Sequence, residues 1–215
     1  MIIPAYNAAE TLPGVLQGVL GYCRQDDVVV IDDGSTDGTA GAAARSGVRV
    51  SRSPGNEGKG AALARGFAHA VAGGYDAVVT LDADGQHPPG MIPELVRCAS
   101  AGECDVVIAS RRRGFAAMRP ERALSNRLTT LLVSLLAGVR IEDSQCGCRL
   151  VSTGLLRRLS LAAGGFQAES ELLIQAGRLG ARIGHVGCPV IASPSSHIGH
   201  LRDTAKFIAL CLRYL

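Results

Sequence analysis

Short β-branched runs that each stop at a polar turn, alternating with helical segments, constrain this chain more than any other feature. Met1–Ala5, Val28–Ile31, Val48–Ser51, Ala77–Leu81 and Asp105–Ala109 read as strands. Val28–Ile31 is continuously β-branched, which predicts a strand buried on both faces. Between the strands, Asn7–Tyr22, Thr36–Arg45, Glu57–Ala72 and Met91–Ser100 read as helices. In the first of these Leu12, Val15, Leu16, Val19 and Leu20 recur at the helical period, Thr11 is placed to cap, and Pro13 suits the first turn. Alternation of this kind predicts an α/β fold built on a doubly wound, mostly parallel sheet with right-handed crossovers.

The second half departs from the pattern. Glu121–Ala137 reads as an amphipathic helix, Ser144–Arg149 as a polar loop, and Ala168–Leu179 as a helix. His185–Ile191 reads as a strand and Leu201–Leu215 as a terminal helix. No repeat, linker or low-complexity tract divides the 215 residues, so a single domain is expected. A net charge of +3, no Trp and few aromatics argue against nucleic acid as a partner. The seven cysteines are odd in number and lack zinc spacing, which fits reduced thiols in a cytoplasmic protein. Met1 runs straight into Ile2-Ile3-Pro4 with no signal segment, and the apolar stretch Leu131–Val139 is too short to span a membrane. A soluble or peripheral protein is expected.

In an open parallel sheet, ligands gather beyond the carboxyl ends of the strands. Three polar clusters fall there: Pro4-Ala5-Tyr6-Asn7, Asp32-Asp33 and Asp82-Ala83-Asp84. Asp82 and Asp84 repel each other when both are ionised, unless a cation offsets them. A hard divalent cation takes oxygen ligands and shares them with phosphates, so Mg²⁺ or Mn²⁺ held by Asp84 and Gln86 is expected, with Gly85 allowing the turn. The plain alternative, a solvated acidic turn, is weakened by the position at a buried strand's end. Asp33 is the carboxylate placed for base or ribose, while Ser35 or Thr36 is placed to cap the following helix. Gly55-Asn56-Glu57-Gly58-Lys59-Gly60 lacks phosphate-loop spacing, and it reads equally as a phosphate contact through Lys59 or as a helix start. Arg111, Arg112, Arg113, Arg119, Arg122 and Arg127 follow the fifth strand; Arg111 and Arg122 are the two placed for phosphate, the others for a solvated face. Glu169 and Glu171 suit the start of a helix, and His197 and His200 sit in a segment able to close as a lid.

Taken in order, Ile3-Pro4-Ala5-Tyr6-Asn7, Val30–Thr39, Asn56–Gly60 and Leu81–His87 resemble a family 2 glycosyltransferase of GT-A fold. Ser110-Arg111, Arg122 with Ser125-Asn126, and Asp143–Gly147 extend the resemblance to the dolichyl- or polyprenyl-phosphate mannosyltransferase branch. It implies a nucleoside-diphosphate sugar as donor (GDP-mannose or a UDP-sugar) and a lipid phosphate as acceptor. Pro4, Tyr6 and Asp33 would hold base and ribose, flanked by Ala5, Asn7, Ile31, Lys59 and Ala83. Asp82 would touch ribose or sugar, Asp84 and Gln86 the metal, and Arg111, Arg122 and Ser125 the phosphates near the reaction centre. Ser196-His197-Ile198-Gly199 is similar to a family loop that usually carries Lys where His197 stands. Ala8, Cys148 and Ala168 depart from the family's usual Glu, Phe and Phe.

On this reading residues 1–115 form a nucleotide-sugar half and 116–215 an acceptor half. The expected reaction is an inverting displacement at the anomeric carbon. A lipid phosphate would need no strong base, whereas a sugar hydroxyl would call for Glu169 or Asp143. Glu171 and His197 complete the acceptor or lid candidates. The terminal helix mixes Phe207, Ile208, Leu210, Leu212 and Leu215 with Arg202, Lys206 and Arg213, which suits either a membrane surface or packing on the domain. A membrane-protein partner, with this chain as its nucleotide-sugar-binding subunit, is the alternative to an independent enzyme. A sugar-1-phosphate nucleotidyltransferase ranks lower, because Pro4-Ala5-Tyr6-Asn7 is not the Gly-rich, Arg-containing loop such enzymes place after the first strand.

Overall fold

A computed structural model describes residues 1–112, 114, 120–162, 165, 167–191 and 200–215, the side chains of 200–203 excepted. The elements run β1 (Ile2–Ala5), α1 (Leu12–Val19), β2 (Val29–Asp32), α2 (Thr39–Arg45), β3 (Arg49–Arg52), α3 (Lys59–Ala72), β4 (Ala77–Thr80) and α4 (Met91–Gly102). They continue with β5 (Val106–Ser110), α5 (Pro120–Ala137), β6 (Arg149–Ser152), α6 (Thr153–Leu156), α7 (Gln167–Arg178), β7 (Ile183–Gly187) and α8 (His200–Arg213). Among the described residues no helix is long and apolar enough to cross a membrane.

Among the described residues seven strands form one sheet in the order β3-β2-β1-β4-β6-β5-β7. β1 pairs in parallel with both β2 and β4, so the winding reverses between β1 and β4. Every residue of β1, β2 and β5 is buried, as continuous apolar runs covered on both faces require. The mostly parallel, doubly wound sheet agrees with the sequence.

One strand lies outside the sequence pattern. Composition makes Arg149 the last residue of a polar loop, yet Arg149–Ser152 forms β6, antiparallel to both β4 and β5. Arg149, a loop-like residue in sequence, is only 1% exposed here. Because β6 runs backwards, its first residue lies level with Thr80 at the end of β4 and with Ile108 near the end of β5. The preceding Cys146-Gly147-Cys148 turn is thereby delivered to the carboxyl edge of the parallel strands.

Several helices begin later than their periodicity suggests, because their leading residues serve as inter-loop ties. Asn7 sits at φ 48 rather than in a helix. The Asn7 N–H donates to Ser35 Oγ, and the Asn7 amide oxygen accepts from Thr36 N–H. Ala8 N–H donates to Thr39 Oγ1 and Ala9 N–H to Asp37. Ser35 and Thr36 therefore do not cap α2, which starts at Thr39 behind Gly38. Thr11 does occupy the cap position of α1, but its hydroxyl donates to the Ala83 carbonyl at 2.6 Å instead of accepting from the helix. At the other edge β7 spans Ile183–Gly187 rather than His185–Ile191, in register with the five residues of β5. Pro189 has no N–H to extend that ladder.

Candidate active site

The winding reverses between β1 and β4, and in such sheets ligands bind beyond the carboxyl ends of the strands at that point. Pro4–Asn7 lies on one side of it and Asp82–His87 on the other. The ties between Asn7–Ala9 and Ser35–Thr39 fix the first loop against the second. Tyr6 is left 48% exposed, an aromatic face available to a base. Pro4, Ala5 and Ile31 are buried strand residues beneath it. Asp33 is buried, and its oxygens accept from the N–H groups of Glu57 (3.1 Å) and Gly58 (2.7 Å). It anchors the loop that leads into α3. Gly34 stands at φ 73, and a Cβ there would come within 2.3 Å of the Gly55 backbone, so only glycine permits that loop-to-loop approach.

Four charged side chains form a connected chain beside the end of β4. Lys59 Nζ lies 2.7 Å from Asp82 Oδ1 and 3.0 Å from Glu169 Oε2, and Glu169 Oε1 lies 3.4 Å from Arg149. The Arg149 guanidinium also donates to the carbonyls of Cys146, Ser144 and Glu169. Burial works against the charge on Lys59, but Asp82 and Glu169 outweigh it and hold the ammonium above its ordinary range. Burial likewise opposes ionisation of Asp82, while Lys59 and then His87 and Arg149 hold its carboxyl below the usual range. Gly147 backs directly onto this carboxylate. A Cβ at that position would stand 2.1 Å from Asp82 Oδ2.

Asp84 behaves oppositely to Asp82. Burial first, and the charge of Asp82 second, push its carboxyl above the ordinary range. Its Oδ1 accepts from Gln86 N–H at 2.9 Å, which folds the two residues toward one another. Arg122, from α5, donates to Gln86 Oε1 at 3.2 Å. An anion raised in energy by a neighbouring anion, next to an amide oxygen, fits a hard divalent cation that completes its shell with phosphate oxygens and water. His87 is buried against Cys146 Sγ, and burial pushes its pKa down to about 4.

The remaining predicted residues divide into two groups. Arg111 grips Asp143 through two guanidinium bonds, 2.8 and 3.1 Å, and Arg111 N–H also donates to Asp143. Ser125 is exposed on α5, close in sequence to Arg122. Glu171, fully buried, accepts from Ala162 N–H, the Tyr214 hydroxyl and Arg213, and so ties α7 to α8. Arg113, Arg119 and His197 lie outside the described residues, and of His200 only the backbone is described. All seven cysteines are free thiols. Sequence reasoning misses Arg149 and Gly147 as parts of the site, and it makes Glu169 a helix-start or acceptor residue rather than the partner of Lys59.

The model for glycosyl transferase family 2 covers residues 1–160. The chain belongs to that family. It is 32% identical over 193 residues to an undecaprenyl-phosphate mannosyltransferase of Micrococcus luteus, covering 85% of this chain and 79% of that one. It is 33% identical over 172 residues to a polyprenol monophosphomannose synthase of Mycolicibacterium smegmatis, covering 76% of this chain and 64% of the relative. Among solved structures it is similar to the glucosyl-3-phosphoglycerate synthase of Mycobacterium tuberculosis in complex with Mn²⁺, UDP-glucose and glycerol 3-phosphate. There the TM-score is 0.79 at 29% identity, over 99% of this chain and 78% of that chain. The fold is GT-A.

Proposed function

We propose that this chain transfers a hexose, with inversion, from a nucleoside-diphosphate sugar to a polyprenyl phosphate at the cytoplasmic face of a membrane, with Mg²⁺ or Mn²⁺ as cofactor. One observation carries the choice of acceptor. The acidic side chains that are candidate bases are already committed: Asp143 to Arg111, Glu169 to Lys59 and Arg149, and Glu171 to Tyr214 and Arg213. A sugar hydroxyl would need one of them free to take its proton, whereas a phosphate monoester is anionic near neutral pH and needs none. The names of the relatives point the same way.

In this reading Pro4, Ala5, Tyr6, Asn7 and Ile31 bound the base and ribose, and Asp33 acts there while fixing the Glu57-Gly58 turn. Asp82, kept ionised by Lys59, accepts from a hydroxyl of the ribose or the sugar. A divalent cation held by Asp84 and Gln86 would supply Lewis-acid neutralisation of the departing diphosphate. Arg122 and Ser125 orient the incoming phosphate, and Arg111, held rigid by Asp143, adds positive field behind it. The acceptor phosphate oxygen bonds to the anomeric carbon as the carbon–oxygen bond to the diphosphate breaks. The nucleoside diphosphate leaves with that electron pair, and no proton needs to be abstracted.

The test is transfer of labelled sugar from GDP-mannose and UDP-sugars to a short-chain prenyl phosphate, with Mn²⁺ and with EDTA, for the wild type and Asp84→Ala. Loss of transfer in EDTA and in the variant is expected. Full activity in either would sink the mechanism. Donor binding by calorimetry without turnover on any lipid phosphate would favour a binding subunit of a membrane complex.

A further inference from the structure

α5 carries two faces with opposite duties. Ala123, Asn126, Thr130, Val133 and Ala137 point into the domain. On the other side Leu124, Leu128, Leu131, Leu132 and Leu135 are 43–68% exposed. Four of them recur at spacings of four, three and four residues, a continuous apolar stripe along the helix. Isolated exposed leucines are ordinary, but five on one helix face are not. The stripe also borders an open groove of about 720 Å³, where Leu131, Leu135 and Val139 meet Arg112, Arg127 and Arg140. Among the described residues the groove lining holds three arginines and one carboxylate, that of Glu142, which lies 3.6 Å from Arg112 and 3.7 Å from Arg140.

We infer that this face of α5 and its arginine-rimmed groove form a docking surface for a bilayer containing anionic phospholipid. The leucines enter the acyl boundary, and Arg112, Arg127 and Arg140 meet the lipid phosphates. Charge decides between this occupant and a second copy of the chain. A two-fold contact sets the same patch against itself and would oppose arginines to arginines, whereas an anionic surface complements them. Position agrees. Arg122 and Ser125 sit on this same helix, beside Leu124 and Leu128, so docking holds the phosphate-orienting residues at the lipid surface. α8 is tied to α7 through Tyr214 and Glu171 and buries Leu210, while Ile208 and Leu212 on it stay exposed. The bilayer as occupant rests on the lipid-phosphate reading above; the surface itself does not.

The test is flotation of the purified chain with vesicles of phosphatidylcholine alone and of phosphatidylcholine with phosphatidylglycerol. No donor sugar or prenyl phosphate is present. The wild type is expected to float only with the anionic vesicles and to be released by raised salt. Leu128→Asp/Leu131→Asp, at exposed positions, is expected to lower vesicle affinity at least about ten-fold. Arg127→Ala and Arg140→Ala are each expected to lower it about five-fold. Both sets should melt like the wild type and still transfer sugar to a short-chain, water-soluble prenyl phosphate. A wild type that stays in solution, or variants that float equally well, would overturn the inference. So would a wild-type dimer that Leu128→Asp/Leu131→Asp converts to a monomer, since that would assign the face to a second copy. Failure of soluble transfer in all proteins alike would count against the proposed reaction and leave the docking result standing.

Discussion

His87 links the buried site to the protein's stability against acid. Its ring is almost wholly buried, and burial lowers its pKa from 6.5 to about 4. Because the folded state disfavours the protonated ring, unfolding takes up a proton between the folded and unfolded values, from about pH 4 to 6.5. The stability attached to the neutral ring is therefore fully present above about pH 6.5, declines as pH falls, and is gone below about pH 4. A shift of this size at ~1.4 kcal/mol per pH unit corresponds to about 3 kcal/mol in total, of which about 2 kcal/mol should be lost between pH 7 and 5. Asp84, whose carboxyl is raised by burial and by Asp82, acts in the opposite direction by gaining stability as pH falls, so the wild-type profile alone does not isolate the histidine. The informative experiment is urea unfolding of wild type and His87→Asn at several pH values from 7 to 4.5. The variant carries a pH-independent cost for its altered packing against Cys146. Its stability should then fall less steeply, so that the gap between the two proteins narrows by about 2 kcal/mol by pH 5. Parallel curves, or a gap that widens in acid, would refute the assignment of a neutral buried imidazole.

Two further perturbations probe the charge chain. Gly147→Ala drives a methyl into Asp82 Oδ2 and must displace either the carboxylate or the turn, so transfer should fall about 100-fold while urea unfolding shows a folded protein; near wild-type kcat/KM would mean that Asp82 need not be held where it is. Lys59→Met leaves Asp82 and Glu169 facing each other without their shared cation, and should cost about 3 kcal/mol or more in urea unfolding at pH 7, with part regained in acid as the carboxylates protonate; a loss that stays constant with pH would contradict this.

The early strands are legible because each obeys a local rule. A strand covered on both faces must be apolar throughout, and the β-branched run Val28–Ile31 meets that requirement. A parallel sheet then sends all such strand ends to one edge, so Pro4–Asn7, Asp33 and Asp82–Gln86 can be grouped from the order of the strands alone. The exposed side of α5 is less legible, since the same leucines would be spaced alike if they faced a core.

Sequence by itself determined the winding of the sheet and the anionic edge, because both depend on short-range pattern and the handedness of crossovers. Tertiary structure alone decided what the charged groups do. Arg149 looks like a loop residue until β6 reverses between β4 and β5 and buries it beside Glu169. Lys59, Asp82 and Glu169 come from α3, the end of β4 and the start of α7, and nothing local in the sequence links them. Coulomb energy depends on distance in space, and residues far apart along the chain acquire that distance only once the sheet has closed. The same holds for the commitment of Asp143 to Arg111, from which the anionic acceptor was inferred.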